Sequence, residues 1–333
     1  MPEPIEGGLA HGGRLHTAVR QYGIPLEDWL DLSTGIAPWP FELPAIPLSA
    51  WARLPEANDG LHAAACAYYG VEQLLPVAGS QAAIQMLPRM RARSRVGVLA
   101  PCYAEHAHAW RQAGHEVMEI SDSEPALDQL DVLVVVNPNN PTGRLCSREK
   151  LLSWHARLAE RGGWLLVDEA FIDITPEHSL AAETGRQGLI VLRSFGKFFG
   201  LAGARLGCVL APTVLLQALA ERLGPWTING PTRVIAAHCF ADQLAQVRQR
   251  ERAVQASQRL AELLGAHGLS PTGGCGLFQW WRGERAAVLH EFFAQRGILL
   301  RLFPGDSSLR FGLPANEVQW QRLTQVLKEA VNE

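Results

Sequence analysis

Runs of apolar residues without polar alternation limit the folds open to this chain: RVGVLA (95–100), DVLVVV (131–136), GWLLV at the head of 163–170, LIVLRS (189–194) and RLGCVLA (205–211). A strand that is apolar at every position must be covered on both faces. Between these runs lie stretches with helical spacing. LHAAACAYYG closes on Gly70, SQAAIQMLPRMR starts near Ser80, AEHAHAWRQAG closes on Gly114, and SREKLLSWHARLAERG has Ser147 at its N-cap. HEVMEI adds a further short strand. Apolar strands alternating with helices predict an α/β architecture with a mostly parallel central sheet.

Beyond about residue 222 the pattern changes. It predicts one long helix over 231–265, a strand GLFQWW (276–281), a helix AAVLHEFFAQRG (286–297), strands ILLRLF (298–303) and SLRFG (308–312), and a final amphipathic helix NEVQWQRLTQVLKEAV. That order suits a smaller α+β domain. The Pro-rich stretch IAPWPFELPAIPLSAW is too punctuated for regular structure and is expected to run over the surface between domains. The expected division is an N-terminal segment packing with the small domain (1–50), a large domain (51–222) and a small C-terminal domain (223–333).

With 333 residues, 47% hydrophobic and 19% charged, the chain is neither disordered nor of low complexity. A formal net charge of −3 speaks against electrostatic nucleic-acid binding. No apolar run is long enough for a membrane span, and MPEPIEGGLAHGGRLHT lacks the pattern of a secretion signal. Six scattered cysteines with no C-x-x-C pair fit reduced thiols in a cytoplasmic protein better than disulfides or zinc. His106 and His108 lie two apart on a predicted helix, so they are expected on a solvated face and no metal site is expected.

In open α/β sheets, ligands bind beyond the carboxyl ends of the strands. Three such ends carry chemistry: NPNNPTG (137–143), Asp168-Glu169-Ala170-Phe171, and Arg193-Ser194-Phe195-Gly196-Lys197. The chain has only three lysines, and Lys150 and Lys328 sit in amphipathic helices among charged neighbours. Lys197 lies among aromatics and glycines with Arg205 eight residues on, a setting that disfavours the ammonium and suits Schiff-base chemistry. Asp168 ends a strand buried on both faces, so it needs a partner, and a protonated pyridine nitrogen is one. Alternation points Glu169 to the opposite face, into the structure. Gly79-Ser80-Gln81 opens a helix, where free N–H groups favour an anion, and Ser194 and Arg205 could add a hydroxyl and a guanidinium. No dinucleotide fingerprint or P-loop is present.

NPNNPTG, DEAFID and S-x-x-K followed eight residues later by Arg resemble the fold-type I pyridoxal-phosphate enzymes of the aspartate aminotransferase superfamily. Within it the chain is similar to the histidinol-phosphate aminotransferase branch. More narrowly it resembles the L-threonine-O-3-phosphate decarboxylases of cobalamin biosynthesis, through HGG (11–13), LDLSTGIAP (30–38), PCYAEH (101–106), DEAFIDI (168–174), LRSFGKF (192–198) and PWTIN (225–229). The resemblance implies that Lys197 bonds pyridoxal 5'-phosphate as the catalytic lysine and that Asp168 meets the pyridinium nitrogen. It implies that Asn140 bonds the ring oxygen and Tyr103 stacks on the ring, while Gly79, Ser80, Gln81, Ser194 and Arg205 hold the phosphate. On the substrate side it implies Arg310 on the carboxylate, Arg301 and His11 on the substrate's phosphate, Asn140 and Gly35 among the substrate-binding residues, and a homodimer.

Three positions depart from the family pattern. Phe171 stands where aminotransferases carry a tyrosine, which fits the decarboxylases better. Leu54 takes the place of a tyrosine that reaches across the dimer, and Gly35 that of an asparagine on the substrate's phosphate. The expected reaction is decarboxylation of L-threonine O-3-phosphate to (R)-1-amino-2-propanol O-phosphate and CO2. The alternatives are a histidinol-phosphate or related aminotransferase and, from another class, a non-catalytic regulator.

Overall fold

In the computed structural model, which describes residues 9, 11–121 and 124–331, the runs of apolar residues do form one central sheet. In chain order the strands are β1 (Leu30–Asp31), β2 (Leu75–Val77), β3 (Arg95–Leu99), β4 (Glu116–Ile120), β5 (Val132–Val136), β6 (Trp164–Asp168), β7 (Leu189–Ser194) and β8 (Gly207–Leu210). They are followed by β9 (Gly273–Cys275), β10 (Phe278–Arg282), β11 (Ile298–Leu299), β12 (Arg301–Phe303) and β13 (Ser308–Gly312). The central sheet runs β2-β8-β7-β6-β5-β3-β4, and only β8 is antiparallel to its neighbours. All five residues of β5 are buried, as strands covered on both faces require. One apolar cluster under the sheet holds Leu133, Val135, Leu165, Val167 and Val191; a second on its other side holds Val132, Val134, Leu166, Ile190 and Leu192. The odd-even split along each strand is the pleat expressed in packing.

The C-terminal part forms a four-stranded antiparallel sheet, β12-β13-β10-β9. Here two sequence expectations are corrected. The predicted single helix over 231–265 is two, Gly230–Ala241 and Gln243–Ala266, because Asp242 leaves helical geometry and caps the second through Ala245 N. The run ILLRLF is not one strand: Leu300 interrupts it, and β11 pairs in parallel with β1 while β12 joins β13. The Pro-rich stretch also contains a helix after all, Leu48–Ala52, and it buries Ala37 and Phe41 while leaving Leu43, Leu48 and Trp51 exposed.

Behind the carboxyl edge of β6 and β7 lies a buried ionic cluster. Arg193 donates to Glu169 Oε2 at 3.2 Å, to Ser179 Oγ at 3.0 Å and to Asp173 Oδ1 at 2.5 Å, with its guanidinium 4.5 Å from the Tyr69 ring centroid. Burial works against its charge, but Asp173 and Glu169 outweigh burial and hold it protonated. Glu169 therefore lies on the structural side of the strand, away from Asp168 and the cavity. Arg193→Met should leave two buried carboxylates unpaired and lower stability by about 3–5 kcal/mol, seen as a fall in the urea midpoint. A loss below about 1 kcal/mol would mean that the cluster is not what holds this edge.

Candidate active site

Because β5, β6 and β7 are parallel neighbours, with Val136 opposite Asp168 and Asp168 opposite Leu192, their carboxyl ends meet at one edge. The turn after β5 carries Asn140, β6 ends on Asp168, and the short helix Phe195–Phe198 after β7 carries Lys197. Strand β3 lies beside β5 and is followed by Tyr103. Antiparallel β8 enters the sheet at this same edge, since Ser194 pairs with Gly207, and so delivers Arg205 there. Strand β2, also antiparallel to β8, ends here and leads into Gly79 and Ser80. A cavity of about 320 Å³ opens at this edge.

Lys197 and Asp168 form its floor. Burial and the nearby Arg310 and Arg205 lower the Lys197 pKa from the ordinary 10.5 to about 8, against the opposing pull of Asp168. The amine stands 5.6 Å from the Phe171 ring centroid. Asp168, 3% exposed, accepts from His106 Nε2 at 2.8 Å and from Ala170 N at 3.1 Å. His106 is thereby corrected: it is 1% exposed, not solvated, because the helix Glu105–Gln112 turns it inward against the sheet. Among the described residues no cluster of three or more His, Cys, Asp or Glu could hold a metal ion.

At one end of the cavity, Gly79 (φ 73°) caps the helix Ser80–Met86, and a Cβ there would lie 2.9 Å from Arg205 Nη2. A Cβ on Gly207 would lie 2.5 Å from Ser80 N, so glycine lets β8 pass flush against the helix start. Arg205 is exposed and left-handed (φ 54°), and its Nη1 bonds Ala202 O. Gln81 links two neighbours: its Nε2 donates to Glu105 Oε2 at 2.8 Å and its Oε1 accepts from Tyr103 OH at 3.2 Å. Burial, with the charges of Glu105 and Asp168, pushes the Tyr103 phenol up to about 12.

The other wall comes from the second sheet. Arg301 and Arg310 face each other across β12 and β13, a like-charge pair that costs stability unless an anion is to be bound. Arg310 is 4% exposed and donates to Asn140 Oδ1 at 2.5 Å and to Ser33 O at 2.6 Å, while its Nε has no partner among the described residues. Burial and Arg301 lower its pKa to about 10. His11 joins from the N-terminal segment, its Nε2 2.8 Å from Glu105 Oε1.

Twelve of the thirteen residues expected at the site line this one cavity: Lys197, Asp168, Asn140, Tyr103, Gly79, Ser80, Gln81, Ser194, Arg205, Arg301, Arg310 and His11. Gly35 does not; its φ is +61° and it packs behind, where a Cβ would meet Phe278, Phe171 and Arg310. Sequence reasoning missed Glu105 and the role of His106, although both lie in the PCYAEH segment, directly after the cavity residue Tyr103.

A family model described as aminotransferase class I and II matches residues 55–311. The chain is 66% identical over 321 residues to a threonine-phosphate decarboxylase of Pseudomonas aeruginosa, covering 96% of this chain and 97% of that one. It is 42% identical over 329 residues to a threonine-phosphate decarboxylase of Sinorhizobium sp, covering 96% and 97%. In fold it is similar to a histidinol-phosphate aminotransferase from Sinorhizobium meliloti in complex with pyridoxal-5'-phosphate, with a TM-score of 0.79 at 20% identity, covering 99% of this chain and 95% of that one.

The lowered Lys197 pKa has two measurable consequences. Amine-directed labelling of the cofactor-free chain across pH, with peptide mapping, should place the Lys197 midpoint near 8, and a midpoint at 10.5 would contradict the electrostatics described. The unfolded chain binds the extra proton between those values. Lys197 therefore makes stability rise with pH from about 8 towards 10.5, and Lys197→Met should flatten that rise in urea titrations.

Proposed function

The chain belongs to the aminotransferase class I and II family and has its fold, and on that premise we propose that it decarboxylates L-threonine O-3-phosphate to (R)-1-amino-2-propanol O-phosphate and CO2, a step of cobalamin biosynthesis. It is a pyridoxal-phosphate enzyme. The observation that carries the reading is the 66% identity over nearly the full length to a threonine-phosphate decarboxylase, joined to a cavity built for more than one anion.

The residues fit the cofactor. Gly79 leaves open a cradle that a side chain would fill with a clash on Arg205. Ser80, Gln81, Ser194 and Arg205 would hold the cofactor's phosphate, Asp168 its ring nitrogen, Asn140 its ring oxygen, and Tyr103 its ring face. When bound, pyridoxal phosphate supplies an electron sink, and the bond at the substrate's Cα that stands perpendicular to its ring is the one weakened. His106, bonded to Asp168 Oδ2, would keep that carboxylate in place for the ring nitrogen. Phe171 offers no hydroxyl, so the bond to the ring oxygen would fall to Asn140.

Orientation then selects the reaction. Arg310 and Asn140 hold the substrate's carboxylate, and Arg301 with His11 holds its phosphate, so the substrate is gripped at both ends. Positioning of that kind is worth several kcal/mol in a barrier. Loss of the carboxylate as CO2 leaves an electron pair at Cα. Lys197 Nζ, with its pKa lowered to about 8, is suited to deliver a proton to that carbon.

We assign the enzyme to the cytoplasm and to a homodimer. Among the described residues no helix is long and apolar enough to cross a membrane. Leu43, Leu48, Trp51 and Leu54 are all exposed within a dozen residues, an apolar strip of the kind that a second copy covers.

Purified protein given L-threonine O-3-phosphate should release CO2 without consuming 2-oxoglutarate, whereas glutamate formation without CO2 would establish the aminotransferase alternative. Lys197→Ala should lower turnover by at least about a thousandfold and abolish borohydride-fixed cofactor on that residue. Sedimentation should give a dimer, and Trp51→Glu should shift it towards monomer; a fully active wild-type monomer would overturn the assembly.

A further inference from the structure

Glu105 is only 7% exposed, although it opens a helix. A carboxylate so buried is costly unless donors meet both oxygens. They do: Oε1 lies 2.8 Å from His11 Nε2, and Oε2 accepts from Gln81 Nε2 at 2.8 Å and from Gln85 Nε2 at 3.2 Å. An ionised carboxylate only accepts, so His11 Nε2 is the donor. His11 is also pinned from its own backbone side. A Cβ on Gly12 would lie 2.4 Å from Ser33 O, and Gly13 N donates to Ser33 Oγ at 2.8 Å. The imidazole further rests beside the Tyr103 ring, centroids 5.8 Å apart. The ring is thus bound at one nitrogen, flanked on one side and tethered through its backbone, while it lines the cavity.

We propose that Glu105 is the positioning residue for the substrate's phosphate: by accepting the Nε2 proton of His11 it fixes the plane of that imidazole and leaves Nδ1 as the nitrogen that donates to the phosphate monoester. This rests on the reading of the substrate as a phosphorylated amino acid. A carboxylate near a phosphate is unfavourable on charge alone, so its place here makes sense through His11 and not through direct contact. Glu105→Gln keeps one acceptor oxygen, which Gln81 Nε2 can retain, and puts an amide group in place of the acceptor that faces His11. With Nε2 held by Glu105, an N–H at Nδ1 is the donor left for a phosphate oxygen, and the Glu105 bond keeps it aimed.

The test uses the cofactor-loaded enzyme and the variants Glu105→Gln, His11→Ala and the double variant. Glu105→Gln should raise KM for L-threonine O-3-phosphate about tenfold and leave kcat within twofold, with the cofactor's absorbance spectrum unchanged. The double variant should be no worse than His11→Ala, since Glu105 acts through that ring. A second readout is independent of turnover: the dissociation constant of inorganic phosphate, from phosphorus NMR titration of the loaded enzyme, should rise about tenfold in Glu105→Gln. Unchanged or tighter phosphate binding overturns the proposal, as do additive losses in the double variant or a loss carried in kcat and cofactor absorbance. Absence of turnover by the wild-type enzyme sinks the substrate reading instead, and the phosphate titration still decides the role of Glu105.

Discussion

Strands covered on both faces have no place for a polar side chain except at their ends. That constraint organises the molecule. Because β5, β6 and β7 are filled with Val, Leu and Ile, their polar residues collect at the carboxyl edge, in the order Asn140, Asp168, Lys197. Parallel pairing puts those ends on one line, and the one reversed strand, β8, adds Arg205 from the opposite chain direction. The cavity is a by-product of hydrophobic packing before it is a chemical device.

Charge is distributed across that cavity at some cost to the fold. Two arginines stand opposite each other on β12 and β13, and a lysine is buried within the influence of Arg310 and Arg205. Like charges so placed repel, and an anion between them relieves the repulsion. The ionic cluster of Arg193, Glu169 and Asp173 behind the sheet differs in kind, since its arginine is met by two carboxylates of the protein itself.

Much of this was legible in the residues. Apolar runs without alternation gave the layered sheet, and the scarcity of lysine pointed to Lys197. What escaped had physical reasons. Nothing in a local pattern tells an antiparallel strand from a parallel one, so β8 could not be distinguished from its neighbours. The run ILLRLF is continuous in hydrophobicity, and only pairing with β1 on one side and β13 on the other divides it at Leu300. His106 and Glu105 were misjudged or missed because burial of a polar residue depends on partners that are distant in the chain: Asp168 is 62 positions from His106, and His11 is 94 from Glu105. Helix periodicity alone assigns such residues to solvent.

The bond from Arg310 to the Ser33 carbonyl joins residues 277 positions apart. During synthesis the N-terminal strand β1 must wait for β11, and Ser33 for Arg310, until almost the whole polypeptide has left the ribosome. The central sheet can form well before that, since its last strand ends at Leu210. A nascent chain would therefore pass through an interval in which the lysine-bearing edge is built but its arginine wall is missing. The wall of two arginines arrives late, as a property of both sheets together and not of the larger one alone.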